Sequence, residues 1–224
     1  MKSYIYILIF VLGLFSVSCN EQTPYSDTNV GYLSIDKINL SCDKEMIPLT
    51  RAVDVGLKLE IYRGTEKVRS YEAGAAELSK RIVLGIGEYT LKAFTPDREE
   101  AADNVVGSPI YSVEYAFSIT SEEITEIAVT VPQVNVGVSA DFSEDIKMNF
   151  SDYYLVVYSS TGREAKIGKD DQGIYYFNIP EGNVLHYKLI AINQDGEQMT
   201  SEERIIPQKE EALKAGNYRI VVGF

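Results

Sequence analysis

The chain is poor in the residues on which many catalytic and metal sites depend: its 224 residues include two cysteines, one histidine and no tryptophan. Two cysteines cannot build a scaffold held by several disulfides. A single histidine excludes a histidine-rich metal site and most histidine-based proton relays. Basic residues are also scarce, because 21 Lys and Arg stand against 33 Asp and Glu, a formal net charge of -12. This acidic surplus excludes a nucleic-acid partner, since phosphate contacts require a basic surface.

The N-terminal segment is typical of an export signal. Residues 4–15 form an apolar run that is shorter than the roughly 20 residues of a membrane-spanning helix. Cys19 follows the small residue Ser18, which resembles a bacterial lipobox, although Ser16 stands where that motif usually has Leu. This resemblance predicts cleavage of the signal peptide 1–18 and a lipid anchor on Cys19 at the outer membrane, where two acyl chains give stable attachment. The alternatives are an ordinary cleaved signal peptide or an anchoring helix that ends in cysteine.

The rest of the chain has the pattern of β-structure. Residues 19–30 are polar and lack periodicity, so they are predicted to form a flexible tether after the lipidated cysteine. From residue 31 onward, apolar and polar residues alternate with a period of two, which indicates an all-β fold. Short helical turns are expected only at 97–104 and 208–215. Clear alternating sets are Leu57, Leu59 and Ile61, and Leu185, Tyr187 and Leu189.

A short glycine motif opens three of the predicted strands. A glycine at this position supplies the positive φ angle of a turn. The blocks around the first two copies also correspond in order: strand, turn, strand, glycine turn, long strand and acidic loop. We therefore predict two tandem β-sandwich domains, at 31–132 and 133–224, with the boundary at Val131-Pro132-Gln133. The three motif glycines are Gly87, Gly182 and Gly216.

Several segments together resemble lipoproteins of Bacteroides-type bacteria, a group that includes a family of unknown function and the fimbrillin-like pilus proteins. The resemblance covers nearly the whole chain after residue 18. It implies two tandem immunoglobulin/transthyretin-like β-sandwiches displayed at the outer membrane and exposed at the cell surface. The segments are the lipobox cysteine, the polar tether, GYLSI at 31–35, TRAVDVGLKLEIY at 50–62 and LGIGEYTLKAFT at 84–95.

For the fimbrillins, the resemblance further implies assembly into surface fibres, in which an Arg-directed cleavage removes the first strand and another subunit's strand replaces it. Arg51 lies between the first predicted strands, at 31–41, and the strand at 54–62, which matches the place of that cleavage. An exposed arginine in a loop is also an ordinary site for trypsin-like proteases. The C-terminus departs from the fimbrillin pattern, because the second sandwich needs the strand at 218–224 and no spare donor strand follows it.

No motif predicts catalysis. His186 is expected to face solvent from a strand, and the sequence shows no nucleophile or orienting acid for it. Acidic doublets such as Glu122-Glu123 are expected to be solvated charge rather than the paired carboxylates of a glycosidase. Two acidic segments around glycine, at 169–173 and 193–197, lack the ligand spacing of a calcium loop and fit hairpin turns. We therefore predict a non-enzymatic protein without a metal or a cofactor.

Tyrosine is abundant, with sixteen copies. Period two puts Tyr154 and Tyr158 on one face of a strand and Tyr153 on the other, while Tyr175 and Tyr176 fall in a stretch expected to be a neighbouring strand. Exposed tyrosines here would offer a protein-binding surface or a platform for sugar rings. The alternative is that these tyrosines fill the core and the edges of a sandwich.

Together, these features predict a lipid-anchored cell-surface protein that acts in adhesion or fimbria-like assembly, through a protein partner or by self-assembly. The alternative function is that of a glycan-binding accessory lipoprotein of a polysaccharide-uptake system.

Once Cys19 carries lipid, Cys42 is the only other cysteine, so no intramolecular disulfide is expected. Cys42 is expected to be a structural residue.

Overall fold

The computed structural model describes residues 29–42, 45–47, 55–160, 162–207 and 211–223. The signal peptide, Cys19 and Arg51 lie outside these residues, so the lipid anchor and the cleavage site stay predictions. Within the described part of the chain, no helix is long and apolar enough to cross a membrane.

Strands dominate the described residues, which confirms the all-β class. The first half contains β1 (Val30–Cys42), β2 (Glu45–Ile47), β3 (Lys58–Arg63), β4 (Glu66–Glu72), β5 (Ile82–Gly85), β6 (Gly87–Phe94), β7 (Ser112–Ile119) and β8 (Ile124–Pro132), with a 3-10 helix at Ala76–Ser79. The second half contains β9 (Val136–Phe142), α1 (Glu144–Asn149), β10 (Phe150–Ser159), β11 (Glu164–Gly168), β12 (Tyr175–Phe177), β13 (Leu185–Asn193), β14 (Gln198–Thr200), β15 (Arg204–Ile206) and β16 (Gly216–Val222).

Two sheets enclose the core of the first half. In one sheet β1 pairs antiparallel with β2 and β5 and parallel with β8. The other sheet has the order β4-β3-β6-β7, with antiparallel neighbours throughout. The alternation that predicted these strands turns one set of side chains inward, and Leu57, Leu59 and Ile61 are all 0% exposed. The buried cluster of this half runs from Leu33 to Val131.

The second half repeats this topology. β9 pairs antiparallel with β12 and parallel with β16, as β1 does with β5 and β8. The sheet β11-β10-β13-β14, in which β15 also pairs with β13, corresponds to β4-β3-β6-β7. A separate buried cluster runs from Val136 to Val222. The fold is therefore two tandem β-sandwiches, as predicted, while the domain limits 31–132 and 133–224 stay predictions.

The glycine turns form where the motif predicts them. Each motif glycine has a positive φ angle, at which a residue with a Cβ atom is strained. In two copies the tyrosine that follows turns back, and its hydroxyl donates to a carbonyl four residues upstream. The φ angles are 144° at Gly87, 93° at Gly182 and 138° at Gly216. The hydroxyl bonds are Tyr89 to Gly85 O (2.9 Å) and Tyr218 to Lys214 O (3.1 Å).

The expected helical turns differ from the structure. Residues 97–104 form no helix, because their polar groups bind the second half of the molecule instead. The stretch 208–215 is described only from residue 211, and that part is not helical. The short helix α1 was not anticipated, although its signals are present in the sequence. Ser143 caps it by accepting from Ile146 N at 3.4 Å, and its first turn is acidic.

A loop between β6 and β7, residues 95–111, connects the two halves, and we call it the bridging loop. Tyr176 N donates to Val106 O at 2.9 Å, which adds the loop to the edge of β12. Asn104 N donates to Glu164 O at 2.9 Å, which adds the loop to the edge of β11. The bridging loop therefore covers one edge of each sheet in the second sandwich.

Arg163 reinforces this junction from inside. It is 5% exposed, and its guanidinium donates to Val105 O at 2.6 Å and to Tyr176 O. The same group lies 4.5 Å from the centre of the Phe177 ring. Burial lowers the pKa of Arg163. The junction thus contains a buried cation that two carbonyl oxygens and one aromatic ring stabilise.

Candidate functional site

The strand β10 separates its side chains into a core set and an outer set. Tyr153 is buried in the core, whereas Tyr154 and Tyr158 are partly exposed on the opposite face, as predicted. The neighbouring strand β13 places His186 directly beside Tyr158. The core set of β10 also includes Leu155 and Val157. We use the name aromatic face for Tyr154, Tyr158, His186, Lys188 and Glu203.

The aromatic face is organised around Tyr158. Its ring stacks with the ring of His186, with centroids 5.4 Å apart and planes inclined by 16°. Lys188 Nζ lies 5.8 Å from the centre of the Tyr158 ring. Glu203, from the segment between β14 and β15, accepts a hydrogen bond from the Tyr158 hydroxyl, and His186 Nδ1 lies 2.9 Å from Glu203 Oε1. The His186 side chain is 28% exposed, in keeping with its predicted solvent-facing position.

These contacts fix the protonation of Tyr158 and Glu203. The hydrogen bond to Glu203, helped by burial, raises the pKa of Tyr158 to about 12. The same bond, followed by the bond to His186, lowers the pKa of Glu203. At neutral pH the phenol therefore stays protonated and the carboxylate stays ionised. The arrangement suits stacking and hydrogen bonding to a partner rather than proton exchange with a substrate.

The remaining two predicted tyrosines lie elsewhere. β12 pairs with β9, so the expectation that it neighbours β10 is wrong. Tyr175 is in the core, where burial and its 2.5 Å hydrogen bond to Asp171 Oδ2 raise its pKa to about 12. Tyr176 lies at the junction with the bridging loop, and burial raises its pKa. Of the four tyrosines predicted to form a binding surface, the structure therefore places Tyr154 and Tyr158 on one face and Tyr175 and Tyr176 elsewhere.

Glu203 is the member of the aromatic face that sequence reasoning missed. It belongs to an acidic doublet and joins His186 only because β15 pairs with β13. The segment at 193–197 does form the expected turn, with Gly196 N bonded to Asn193 O. The segment at 169–173 is not a hairpin turn, because it connects β11 and β12 of different sheets. Among the described residues, no group of three or more His, Cys, Asp or Glu side chains is placed to hold a metal ion.

The repeated topology defines the class: a tandem β-sandwich protein in which the first strand of each half runs parallel to the last strand of that half. The chain belongs to the family described as domain of unknown function DUF4493, whose profile matches residues 29–221. No curated protein matches the chain.

Several solved structures are similar to the chain. A candidate adhesin from Bacteroides ovatus is 9% identical, with 86% of this chain and 87% of that chain covered and a TM-score of 0.45. A candidate cell adhesion protein from the same species is 10% identical, with coverages of 85% and 91% and a TM-score of 0.45. The Bacillus anthracis TIE protein is 15% identical with a TM-score of 0.30, and the match covers 87% of this chain but 34% of that protein.

Proposed function

We propose that the protein is a lipid-anchored cell-surface protein that acts in adhesion or fimbria-like assembly by exchange of its first strand. The observation that carries this proposal is the position of β1, which lies inside its sheet. β1 pairs with β5 over residues 30–33 and with β8 over residues 32–41. Its departure would expose the edges of both neighbours, and exposed edges readily pair with another chain.

The core contribution of β1 supports the same proposal. Leu33, Ile38 and Leu40 are 0%, 2% and 1% exposed. Full burial of a side chain of this size contributes about 1.5–3 kcal/mol. A groove without β1 therefore favours any strand that has the same apolar alternation. Main-chain hydrogen bonds would supply affinity in such an exchange, and the apolar pockets would supply specificity.

The place of Arg51 in the chain provides a route to that exchange. Arg51 follows β2 and precedes β3 in the sequence. Cleavage there would leave β1 held by pairing alone, and a strand of another subunit could then replace it. The donor in this proposal is not β16, because β16 pairs with β9 and buries Ile220 and Val222.

The test compares the full chain with Arg51→Ala after export in a bacterial host that processes lipoproteins. Unboiled gels are expected to show high-mass ladders for the unsubstituted chain and to lose them in the variant. N-terminal sequencing of ladder subunits is expected to begin at residue 52. Arg69→Ala, in the exposed part of β4, is the matched control and should keep the ladders. Ladders that persist in Arg51→Ala, or subunits that retain residues 30–42, would contradict strand exchange.

The anchor is tested separately. In the Arg51→Ala background, where residue 19 stays on the same chain as the sandwiches, Cys19→Ala is expected to move the protein from the outer-membrane fraction to the soluble fraction and to abolish labelling by a radioactive fatty acid. Cys42→Ala is the matched control and should stay in the membrane fraction. Unchanged membrane attachment of Cys19→Ala would remove the lipid from the proposal while leaving strand exchange to be judged by the ladders.

A second candidate function is glycan capture for an uptake system, and the partly exposed stack of Tyr158 and His186 favours it. Aromatic rings of this kind present a face against which a sugar ring packs. Neutral oligosaccharides are expected to change tyrosine fluorescence in the unsubstituted chain and much less in Tyr158→Leu. Tyr62→Leu, at the corresponding position of the first sandwich, is the control. Equal responses from the two variants would contradict a sugar site on the aromatic face.

A further inference from the structure

A polar pocket lies on the second sandwich, on the sheet opposite the aromatic face. Its volume is about 310 Å³, near the lower end of the range for small-molecule sites. β9 and β16 form its floor, where Ser139 and Arg219 are register neighbours. Both side chains point away from the core, since a residue adjacent to each along its strand, Val138 and Ile220 respectively, is buried. The helix α1 and the loop after β11 form the walls.

Three cations from three different elements line this pocket, in a chain whose net charge is -12. Lys147 of α1 is paired with Glu144 at 2.8 Å. Lys169 donates to the carbonyl oxygen of Ser151 at 3.2 Å and forms no salt bridge within the described part of the chain. Arg219 of β16 makes no salt bridge with any residue that the structure describes. Two of the three cations therefore remain available to an anion.

The acids of the pocket limit how much negative charge a ligand can carry. Asp171 accepts from Gly173 N at 2.8 Å and from the Tyr175 hydroxyl at 2.5 Å, so its two oxygens are both engaged. Asp141 also lines the pocket and would repel a second anionic group. A ligand with one negative charge fits this balance better than a multiply charged phosphate.

The other lining groups indicate what surrounds that charge. The Ser139 hydroxyl, the Gln172 amide and the Asp141 carboxylate offer donors and acceptors for several hydroxyl groups. Ile174 adds a small apolar patch that suits the C–H face of a ring. We propose that this pocket binds a hexuronic acid, a sugar ring with one carboxylate, which Lys169 and Arg219 hold. The proposal goes beyond the proposed function and rests on neither strand exchange nor the aromatic face.

The test is calorimetric titration of the full chain with glucuronate, with glucose as the uncharged control of similar shape. Glucuronate is expected to bind and glucose to bind at least about tenfold more weakly, because glucose lacks the charged hydrogen bonds. Binding is expected to weaken as salt is added, since the cations are exposed. Acetate is titrated as well, and it should bind more weakly than glucuronate because it has no hydroxyl groups.

Two variants locate the site. Arg219→Gln and Lys169→Gln are each expected to weaken glucuronate binding by about tenfold, whereas Arg69→Gln, on the first sandwich, should leave it unchanged. Lys169 lies in a loop, so Lys169→Gln is expected to fold normally. Its glucuronate binding therefore tests the site even if Arg219→Gln folds poorly. Absence of glucuronate binding, equal binding of glucose or acetate, or full binding by both pocket variants would each overturn the proposal.

Discussion

The outer faces of the two sandwiches are built on the same plan. Tyr62 corresponds to Tyr158, and Lys92 corresponds to Lys188 at the same separation along the chain. The two tyrosines lie on corresponding strands, and so do the two lysines. Lys92 Nζ is 5.1 Å from the Tyr62 ring, close to the 5.8 Å of the second pair. Each tyrosine hydroxyl also donates to a glutamate. The tyrosine–lysine pair is therefore a feature of the repeated scaffold rather than of one face.

The two faces differ in the residues around that pair. In the first sandwich the tyrosine bonds to Glu60 of its own strand, which Lys67 also holds at 2.9 Å. In the second, Val156 occupies the position of Glu60, and the carboxylate comes from Glu203 in a distant segment. His186 is the register partner of Tyr158, whereas Thr90 is the register partner of Tyr62 in the first sandwich. The second face therefore differs from the first through His186 and Glu203 rather than through the tyrosine itself.

The largest change in stability is expected from core substitutions, which also test whether the sandwiches unfold independently. Leu59 and Leu155 are corresponding core residues, 0% and 1% exposed. Replacement of either by alanine should lower the free energy of unfolding by about 2–5 kcal/mol. We expect each variant to shift one common thermal transition, because the bridging loop joins the halves. Calorimetry that resolves two transitions, with only one of them shifted, would contradict this coupling.

The next effect comes from the junction. Arg163→Ala removes the guanidinium that bonds to Val105 O and Tyr176 O, and each hydrogen bond to a charged group contributes about 1.5–3 kcal/mol. A loss of about 2–4 kcal/mol is expected, together with separation of the single transition into two. Arg69→Ala, on an exposed strand, should change stability by less than about 0.5 kcal/mol. Identical melting curves for the two variants would show that the junction does not couple the sandwiches.

A third experiment separates the two tyrosine–glutamate pairs by pH. Absorbance titration, read as the difference from Tyr158→Phe, should show Tyr158 ionising near pH 12 in the unsubstituted chain, and Glu203→Gln should move this step toward about 10. Glu60→Gln should instead act on Tyr62, whose pKa its bond to Glu60 raises. A Tyr158 step that stays near 12 in Glu203→Gln would mean that burial, rather than the carboxylate, controls the phenol.

The same pairs make stability depend on pH. The raised pKa of Tyr158 contributes stability that is complete below the unfolded value near 10 and is lost as pH rises through about 12. The lowered pKa of Glu203 contributes stability that is present above the unfolded value and is lost as pH falls through the folded one. The free energy of unfolding, measured from denaturation curves at several pH values, should depend less on pH in Glu203→Gln at both the acidic and the alkaline end.

The smallest expected effect concerns the lysines above the rings. Lys188→Met should cost about 0.5–1 kcal/mol, the usual contribution of an exposed cation–π contact. Lys92→Met should cost slightly more, because Lys92 also pairs with Glu114 at 2.6 Å. Denaturant titration of both variants measures the difference. A larger loss of stability for Lys188→Met than for Lys92→Met would contradict a stabilising contribution from the Lys92–Glu114 pair.

Local patterns predicted much of this structure. Period-two alternation identified the buried Leu57, Leu59 and Ile61, and the motif glycines identified three turns, because both signals act within a few residues. The prediction of a helical turn at residues 97–104 of the bridging loop is wrong, since Glu164, the partner of Asn104, lies far along the chain. Glu203 was missed for the same reason. Sequence alone does not reveal which distant strand brings a carboxylate to a given histidine.

The parallel pairing of first and last strands determines how each sandwich would respond to tension. In β1 and β8, and again in β9 and β16, the chain enters at one end of a parallel pair and leaves at the other. A pull along the chain therefore slides the two strands past each other and loads their hydrogen bonds together rather than one at a time. Under tension on the chain ends, this geometry places two shear-resistant clamps in series along the line of force.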